Sequence, residues 1–396
     1  MPAAPHYRVI DTAPESHVYT GGLLCNLQDP SKPTAPDYIC GELTWDGQTH
    51  SLIWHHWNGH NWIRSVISSE HSIAVGMDSA DLTGNGRADI AAAEWPLGSR
   101  SEEDGHVLWF EHPDNPYEGQ WVAHVLATGW GKAHDLVIGD IGGQRRADVL
   151  VRLKDGRISW FPMPEDPRRP WSEALVAEAH PGDGTALYDV TGNGCLDIVT
   201  GSGFFENQPV DGRGWKFHPF QAAIDLQLDP ETRVVVGDCL RDRSVTVVIS
   251  ESEQLTHARL VALNSKDGGQ TWSTHILIDG EIDLGALHSL QLLDTNGNGW
   301  LDIFVAEMEL YVEDDDIIRR PTWNLLLNRG DLLFDRQVVL DENLGAHMGF
   351  AGRISRESGI DFIAKNWKAN RANAWDGLNH VVHVGGWLPA ELPADV

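Results

Sequence analysis

Positive charge is scarce in this chain, with 29 Lys plus Arg against 58 Asp plus Glu and a formal charge of −29. A surface this acidic repels nucleic acid and anionic membrane, and slows the approach of long polyanions. A neutral or short, singly charged ligand suits it better. Long hydrophobic runs are missing too, and no segment of 18 uninterrupted apolar residues offers a membrane-spanning helix. Cysteine is limited to Cys25, Cys40, Cys195 and Cys239, with no CxxC pairing and no regular spacing. That argues against a disulfide framework or a cysteine zinc site and points to free thiols in a reducing compartment. The opening MPAAPHYRVIDTAPESHVYT has no basic stretch followed by an apolar one, so a cytoplasmic location is expected. A leader removed beforehand would leave the same picture in a secreted protein. No Gly-rich phosphate loop, GxSxG elbow or Rossmann fingerprint follows a suitable strand, so no nucleotide cofactor and no serine nucleophile is expected.

What is present is a repeat. The stretch DLTGNGRADI (Asp81 to Ile90) recurs as DVTGNGCLDI and DTNGNGWLDI. Aligned on two positions eight residues apart, seven units emerge: Asp29/Asp37, Asp81/Asp89, Asp140/Asp148, Asp189/Asp197, Asp238/Thr246, Asp294/Asp302 and Arg353/Asp361. A short apolar run precedes each first position and another follows each second one, and two such runs joined by a Gly/Asn/Asp turn predict a β-hairpin. A third run follows (SLIWHHW, HVLWFEH, RISWFPM, NLLLN). A fourth then opens on an aromatic residue (NWIRSVI, QWVAHVL, PWSEALV, GWKFHPF, TWSTHIL, LFDRQVV).

Each unit thus reads as a four-stranded antiparallel meander, and the chain as an all-β, seven-bladed β-propeller forming one domain over residues 1–396. Its blades centre near residues 37, 89, 148, 197, 246, 302 and 361. The seventh unit has no clear fourth run, and HYRVIDT at residues 6–12 matches the missing pattern. That segment is predicted to close the ring as the outer strand of the last blade. Two tandem sandwiches would need neither a constant hairpin motif nor an aromatic strand in every unit.

The pattern D-x-[DNT]-G-[DN]-G-x-x-D-[IV] resembles the FG-GAP or VCBS repeat of integrin-like propellers. Within that group, HSLQLLDTNGNGWLDIFVAEM, AHDLVIGDIGG and the W-x-x-H-x-[IVL] strands resemble the propeller of aldos-2-ulose dehydratase and related sugar lyases, including the rhamnosyl-glucuronate type. The resemblance implies a seven-bladed ring and carbohydrate chemistry. Thr246 and Arg353 depart from the pattern, so no metal is carried to their turns.

The turns admit two readings. Asp81, Thr83, Asn85 and Asp89 have the alternating spacing of oxygen ligands in a calcium loop, as do Asp189, Thr191, Asn193 and Asp197, and Asp294, Asn296, Asn298 and Asp302. Each set offers only two carboxylates and no following bidentate glutamate. The other reading is structural: the aspartates accept hydrogen bonds from their own turn and the glycines supply positive φ.

A ligand site is expected at the channel mouth where first strands begin. Six positions before the first motif residue stand His134, His288 and His347, with His71 just upstream of the same strand in blade two. Just past the second strands come Glu94 and Glu307, with Arg152 and Lys365 nearby. Trp95 and Trp367 share a position in blades two and seven, and Trp130 and Trp375 also break the repeat, whereas Trp62, Trp121, Trp171, Trp215 and Trp272 sit at the packing position of outer strands. A lone histidine would be a satisfied polar residue; three at one repeat position point to use. An indole face can carry the C–H face of a sugar, or simply pack between blades. The acidic run EDDDII (Glu313 to Ile318) and Tyr311 lie in an insertion of blade six that is expected to overhang the channel, as solvated loop, lid or metal contact.

With these residues at the rim, the resemblance implies a carbon–oxygen lyase or dehydratase that acts by β-elimination on a keto-sugar or uronate-containing oligosaccharide. His134 or His288 would be the base and His347 and His71 would assist, with Arg152, Lys365 or a divalent metal held by the histidines and Glu307 stabilising the anion. A non-catalytic glycan- or protein-binding propeller is the competing class. A glycoside hydrolase using Glu94 and Glu307 is another. The expected partner is a small sugar or short oligosaccharide.

Overall fold

The computed structural model describes residues 6–14, 16–28, 36–44, 46, 49–95, 104–131, 133–154, 156–180, 182–208, 214–309, 320–355, 359–369 and 377–388. They form seven antiparallel sheets of four strands each. The chain enters with β1 (His6–Ala13). Blade one is β2 to β5 (His17–Cys25, Asp37–Thr44, His50–Trp57, Trp62–Ser68), and blade two is β6 to β9 (Ile73–Ala80, Asp89–Glu94, His106–Glu111, Val122–Thr128). Blade three is β10 to β13 (Asp135–Gly139, Asp148–Arg152, Ile158–Phe161, Ala174–Ala177), and blade four is β14 to β17 (Thr185–Tyr188, Asp197–Thr200, Gly203–Asn207, Trp215–Pro219). A short helix, α1 (Gln221–Leu226), leads to blade five, β18 to β21 (Thr232–Gly237, Val245–Glu251, Arg259–Ser265, Ser273–Asp279). Blade six is β22 to β25 (Leu287–Leu293, Asp302–Glu307, Trp323–Asn328, Phe334–Leu340), and blade seven is β26 to β28 (Met348–Gly352, Ile360–Lys365, Asn379–Trp387). Each innermost strand packs on the next, and β26 packs on β2, so the sheets close a ring.

The predicted closing strand is in place: β1 is the outermost strand of blade seven, running against β28 from His6↔Gly385 to Ala13↔Asn379. The junction is held by more than the ladder. Asp11 on β1 receives His55 Nε2 at 2.8 Å and Arg64 Nε at 3.1 Å, both from blade one. Asn379 Nδ2 donates to the carbonyls of Pro14 and His17, and Tyr38 Oη to that of Met348. The two ends of the described chain are thereby stitched to one seam.

Apolar side chains sort into clusters between blades. Ile90 and Ala92 of β7 join Ile39, Leu52 and Trp54 of blade one, whereas Ala91 and Ala93 of the same strand join Val149, Val151 and Phe161 of blade three. Phe304 and Ala306 likewise face Phe362 and Ala364 of blade seven, while Ile303 and Val305 face Val248 and Leu260 of blade five. Both faces of each sheet are covered, which is why the second strands read as continuous apolar runs rather than alternating ones.

The motif marks the turn between first and second strands. In blades two to seven, the residue before the first motif position pairs with the second: Ala80↔Asp89, Gly139↔Asp148, Tyr188↔Asp197, Gly237↔Thr246, Leu293↔Asp302 and Gly352↔Asp361. Blade one differs. Its pair is Cys25↔Asp37, so the connection is longer, and the residue that follows the strand is Asn26, whose Oδ1 accepts Gln28 N–H at 3.2 Å. Asp29, the expected first motif residue there, lies outside the described residues.

Within the turns the carboxylates are occupied by amides. Asp81 accepts from the N–H groups of Asn85 and Gly86, and Asp89 from those of Leu82, Thr83 and His112. Asp189 accepts from Asn193 and Gly194, and Asp197 from Val190, Thr191 and Asn207. Asp294 accepts from Gly297, Asn298 and Gly299, and Asp302 from Thr295 and Asn328. Asn85 and Asn193 each take the N–H two residues on, as do Asn296 and Asn298. The structural reading of these turns therefore accounts for every one of their aspartates. The side chain of Thr83 takes no part in this pattern: its Oγ1 is buried without a hydrogen bond. Among the described residues, no group of three or more His, Cys, Asp or Glu side chains is placed to hold a metal ion.

Candidate functional site

At the end of the channel where innermost strands begin, three of the four candidate histidines are linked by shared partners. His288 donates from Nδ1 to the carbonyl of His347, and its Nε2 receives the Arg233 guanidinium at 2.6 Å. The two imidazoles stack with ring centroids 3.9 Å apart, and Trp367 stacks on the other face of His347 at 4.7 Å. Lys365 donates to His347 Nδ1 at 2.6 Å and to the Tyr19 carbonyl at 2.8 Å. Arg233 also reaches His134, with Nη1 3.5 Å from Nδ1. The same Nδ1 lies 3.4 Å from Asp183 Oδ1 and 3.6 Å from Asp135 Oδ1. His71 has other partners, Glu94 Oε1 at 3.2 Å and the ring of Phe110.

Burial sets the electrostatics. His288 and His347 are held well below the ordinary histidine range, first by burial and then by the neighbouring positive charges. Both imidazoles are neutral at pH 7, and their hydrogen bonds fix which nitrogen carries the proton: Nδ1 in His288 and Nε2 in His347. Burial pulls Lys365 down to about 7, so half of its ammonium is lost near neutrality. Burial pushes Glu309 up to about 7; this carboxyl accepts the N–H groups of Gly345 and Trp367 beside the same cluster. Burial also raises Asp183. For Asp135 burial acts in the same direction but is outweighed by His134, Arg152 and Arg233, which keep it ionised.

Of the three linked histidines, His134 is the one with access to a ligand. Its side chain is 12% exposed, whereas that of His288 is closed off. Every polar contact described for it falls on Nδ1. A proton on Nδ1, directed at the two carboxylates, leaves Nε2 as the acceptor, the tautomer that suits proton transfer.

The remaining candidates divide. Arg152 is buried and braces the start of blade four, donating to the carbonyls of His180 and Gly184. Glu307 is buried, its oxygens taken by Gly285 N–H, Thr322 N–H and Thr322 Oγ1. Trp130 is fully buried in the cluster between blades two and three, under Arg157. Trp95 packs against that same cluster. Tyr311, Trp375 and the acidic run from Glu313 to Ile318 lie outside the described residues.

Asp135, Asp183, Arg233 and Glu309 were not among the sequence candidates. Asp183 occupies in blade four the position that holds His134, His288 and His347 in theirs, six before the turn, and Arg233 in blade five follows that position by one. The repeat alignment that picks out the histidines passes through both.

No family model matches the chain, and no curated protein matches its sequence. Solved structures are similar to it over most of its length. The NanB sialidase from Streptococcus pneumoniae is 11% identical, with a TM-score of 0.44 over 96% of this chain and 70% of that one. An intramolecular trans-sialidase from Ruminococcus gnavus is 10% identical, with a TM-score of 0.42 over 96% of this chain and 97% of that one. A mutant of AofleA from Arthrobotrys oligospora is 13% identical, with a TM-score of 0.44 over 85% of this chain and 90% of that one. At these values neither family nor chemistry passes from them to this chain.

Proposed function

We propose that this propeller is a carbohydrate-active carbon–oxygen lyase, eliminating across a C–O bond of a keto-sugar or uronate-containing oligosaccharide at the channel mouth. The observation that carries the reading is the convergence of His134, Arg233, His288, His347 and Lys365 from blades three, five, six and seven within contact distance of one another. Elimination needs a base for the proton beside a carbonyl or carboxylate, a cation for the enolate, and a proton for the departing oxygen.

His134 is assigned as base through Nε2, oriented by Asp183 and Asp135. Arg233, held by His288, is assigned as the cation facing the enolate. The C–H pair becomes the new C=C bond as the C–O bond breaks, and the proton carried by His134 passes to the leaving oxygen. The balance requires no redox or nucleotide cofactor. His288, His347 and Lys365 are buried and act as positioning residues for Arg233 and for the Trp367 face.

The test is ultraviolet absorbance of an unsaturated product, screened over keto-sugars and uronate-containing oligosaccharides. His134→Ala and Arg233→Ala are expected to slow its appearance by about 10²–10⁴-fold. Unchanged rates in both variants would remove the proposal. The hydrolase reading loses weight because Glu307 is committed to three structural hydrogen bonds.

A further inference from the structure

Five asparagines in this chain are followed by glycine: Asn58, Asn85, Asn193, Asn296 and Asn298. In such a pair the glycine nitrogen can attack the side-chain carbonyl carbon of the asparagine, because glycine has no Cβ to hinder the approach. All five asparagines and their glycines are exposed, and the glycines all have positive φ, from 77° to 99°. Exposure and backbone conformation therefore do not tell the pairs apart. Their hydrogen bonds do.

Four of the attacking nitrogens are held by the first aspartate of the repeat. Gly86 N–H donates to Asp81 at 2.7 Å, Gly194 N–H to Asp189 at 2.9 Å, and Gly297 and Gly299 N–H to the two oxygens of Asp294 at 2.8 Å each. An amide in this state must give up a charge-assisted bond before its nitrogen can attack. Gly59 differs: among the described residues nothing accepts its N–H, and no atom outside its chain neighbours lies near its Cα. Its asparagine is also set up as the electrophile. Asn58 Oδ1 accepts the N–H groups of His60 and Asn61, both at 2.9 Å, and this oxygen takes on negative charge when Cγ is attacked. Among the described residues the corresponding oxygens of Asn85, Asn193, Asn296 and Asn298 accept one N–H each.

We infer that Asn58 is a site of spontaneous deamidation, and that the repeat aspartates shield the other four asparagines from it. The Gly59 nitrogen gives its proton to solvent base and bonds to Asn58 Cγ; the Cγ–Nδ2 bond breaks and ammonia leaves. Water then opens the resulting succinimide at either carbonyl, giving aspartate or isoaspartate without any redox step. This turn joins β4 to β5 at the end of the ring opposite the channel mouth, so the site is independent of the lyase reading. The rings of Trp57 and Trp62 on either side of it meet at 5.9 Å, and Arg8 of the closing strand lies 5.1 Å from the Trp57 ring. The new charge, or the extra backbone carbon of isoaspartate, thus arises beside the seam.

The test is incubation of the full chain in mildly alkaline buffer, followed by digestion and mass spectrometry with electron-transfer fragmentation, which separates aspartate from isoaspartate. Asn58 is expected to convert at least about tenfold faster than each of the other four, the factor that corresponds to one hydrogen bond to a charged acceptor. In Asp81→Ala the rate at Asn85 is expected to rise at least about tenfold, while Asn193, Asn296 and Asn298 keep their wild-type rates. Those three also report folding, because unfolding of the variant would speed them all. In urea, where no carboxylate is held in place, the five rates are expected to converge. Comparable rates at all five pairs in the folded protein, or an unchanged Asn85 in a folded Asp81→Ala, would overturn the inference. If Asp81→Ala unfolds, the wild-type ranking decides, and any turn asparagine that converts ahead of Asn58 overturns it.

Discussion

Lys365 shows how one residue can record its surroundings. Its amine is fully buried, donates to a carbonyl and an imidazole, lies over the Trp367 ring, and is drawn down to about 7 from an ordinary 10.5. Between those values the unfolded chain holds a proton that the folded protein has released, so stability contributed at this site rises with pH across that window. Below pH 7 both states are protonated and the cost of burying the charge is felt in full. The stability of the protein relative to Lys365→Met should therefore increase from pH 7 to pH 8.5 in urea titrations. A pH-independent difference would mean that the amine is charged when buried.

At this scale the sequence is a partial guide. Three histidines at one repeat position stand out because they share a residue type. Asp183 holds the same position without sharing the type, and Arg233 is displaced by one, so type alone singles out neither. Trp130 fails in the opposite sense: it departs from the repeat yet is fully buried. A break in a pattern marks a change of packing as readily as it marks a ligand.

Among elements, the hairpin turn is the most legible unit, because its hydrogen bonds depend on few side chains. Glycines at the fourth and sixth turn positions adopt positive φ in blades two, four and six, as with Gly84 at 72° and Gly86 at 81°. Blade five has Arg241 at 57° and Arg243 at 67° in their place, and the turn survives because Asp238 still accepts the N–H groups of Asp242 and Arg243. The aspartate is thus the stronger determinant. In blade six, Asp294 is exposed while Asp302 is buried and holds the N–H groups of Thr295 and Asn328. Asp302→Ala should lower unfolding free energy by at least about 2 kcal/mol, since two amides lose their acceptor inside the protein. Asp294→Ala should cost less. Melting temperature is expected to be the same with calcium and with chelator; a calcium-dependent rise would assign the ion to these turns.

For the whole molecule, the count of seven and the closing strand were readable because the spacing of apolar runs carries them. The convergence at the mouth was readable only as a rim, since side-chain partners across a channel leave no trace in local pattern. The seam tests the ring. Asp11 is held below its ordinary range, burial being outweighed by His55 and Arg64, so its contribution is present above about pH 4 and is lost as pH falls through its folded value. Asp11→Ala leaves the enclosed His55 Nε2 without its acceptor and should cost about 1–3 kcal/mol, measured by denaturant titration at pH 7. An unchanged midpoint would show that the β1 ladder alone holds the ends.

The pairing of His6 with Gly385 also sets an order of events during synthesis. The strand His6–Ala13 must wait for a partner, Asn379–Trp387, translated roughly 20–75 s later at about 5–20 residues per second. In that interval six blades can stack into an arc, but the arc stays open at blade seven. Docking of the waiting segment is therefore the last step in closing the ring, and a nascent chain interrupted before β28 would carry an unlatched rim.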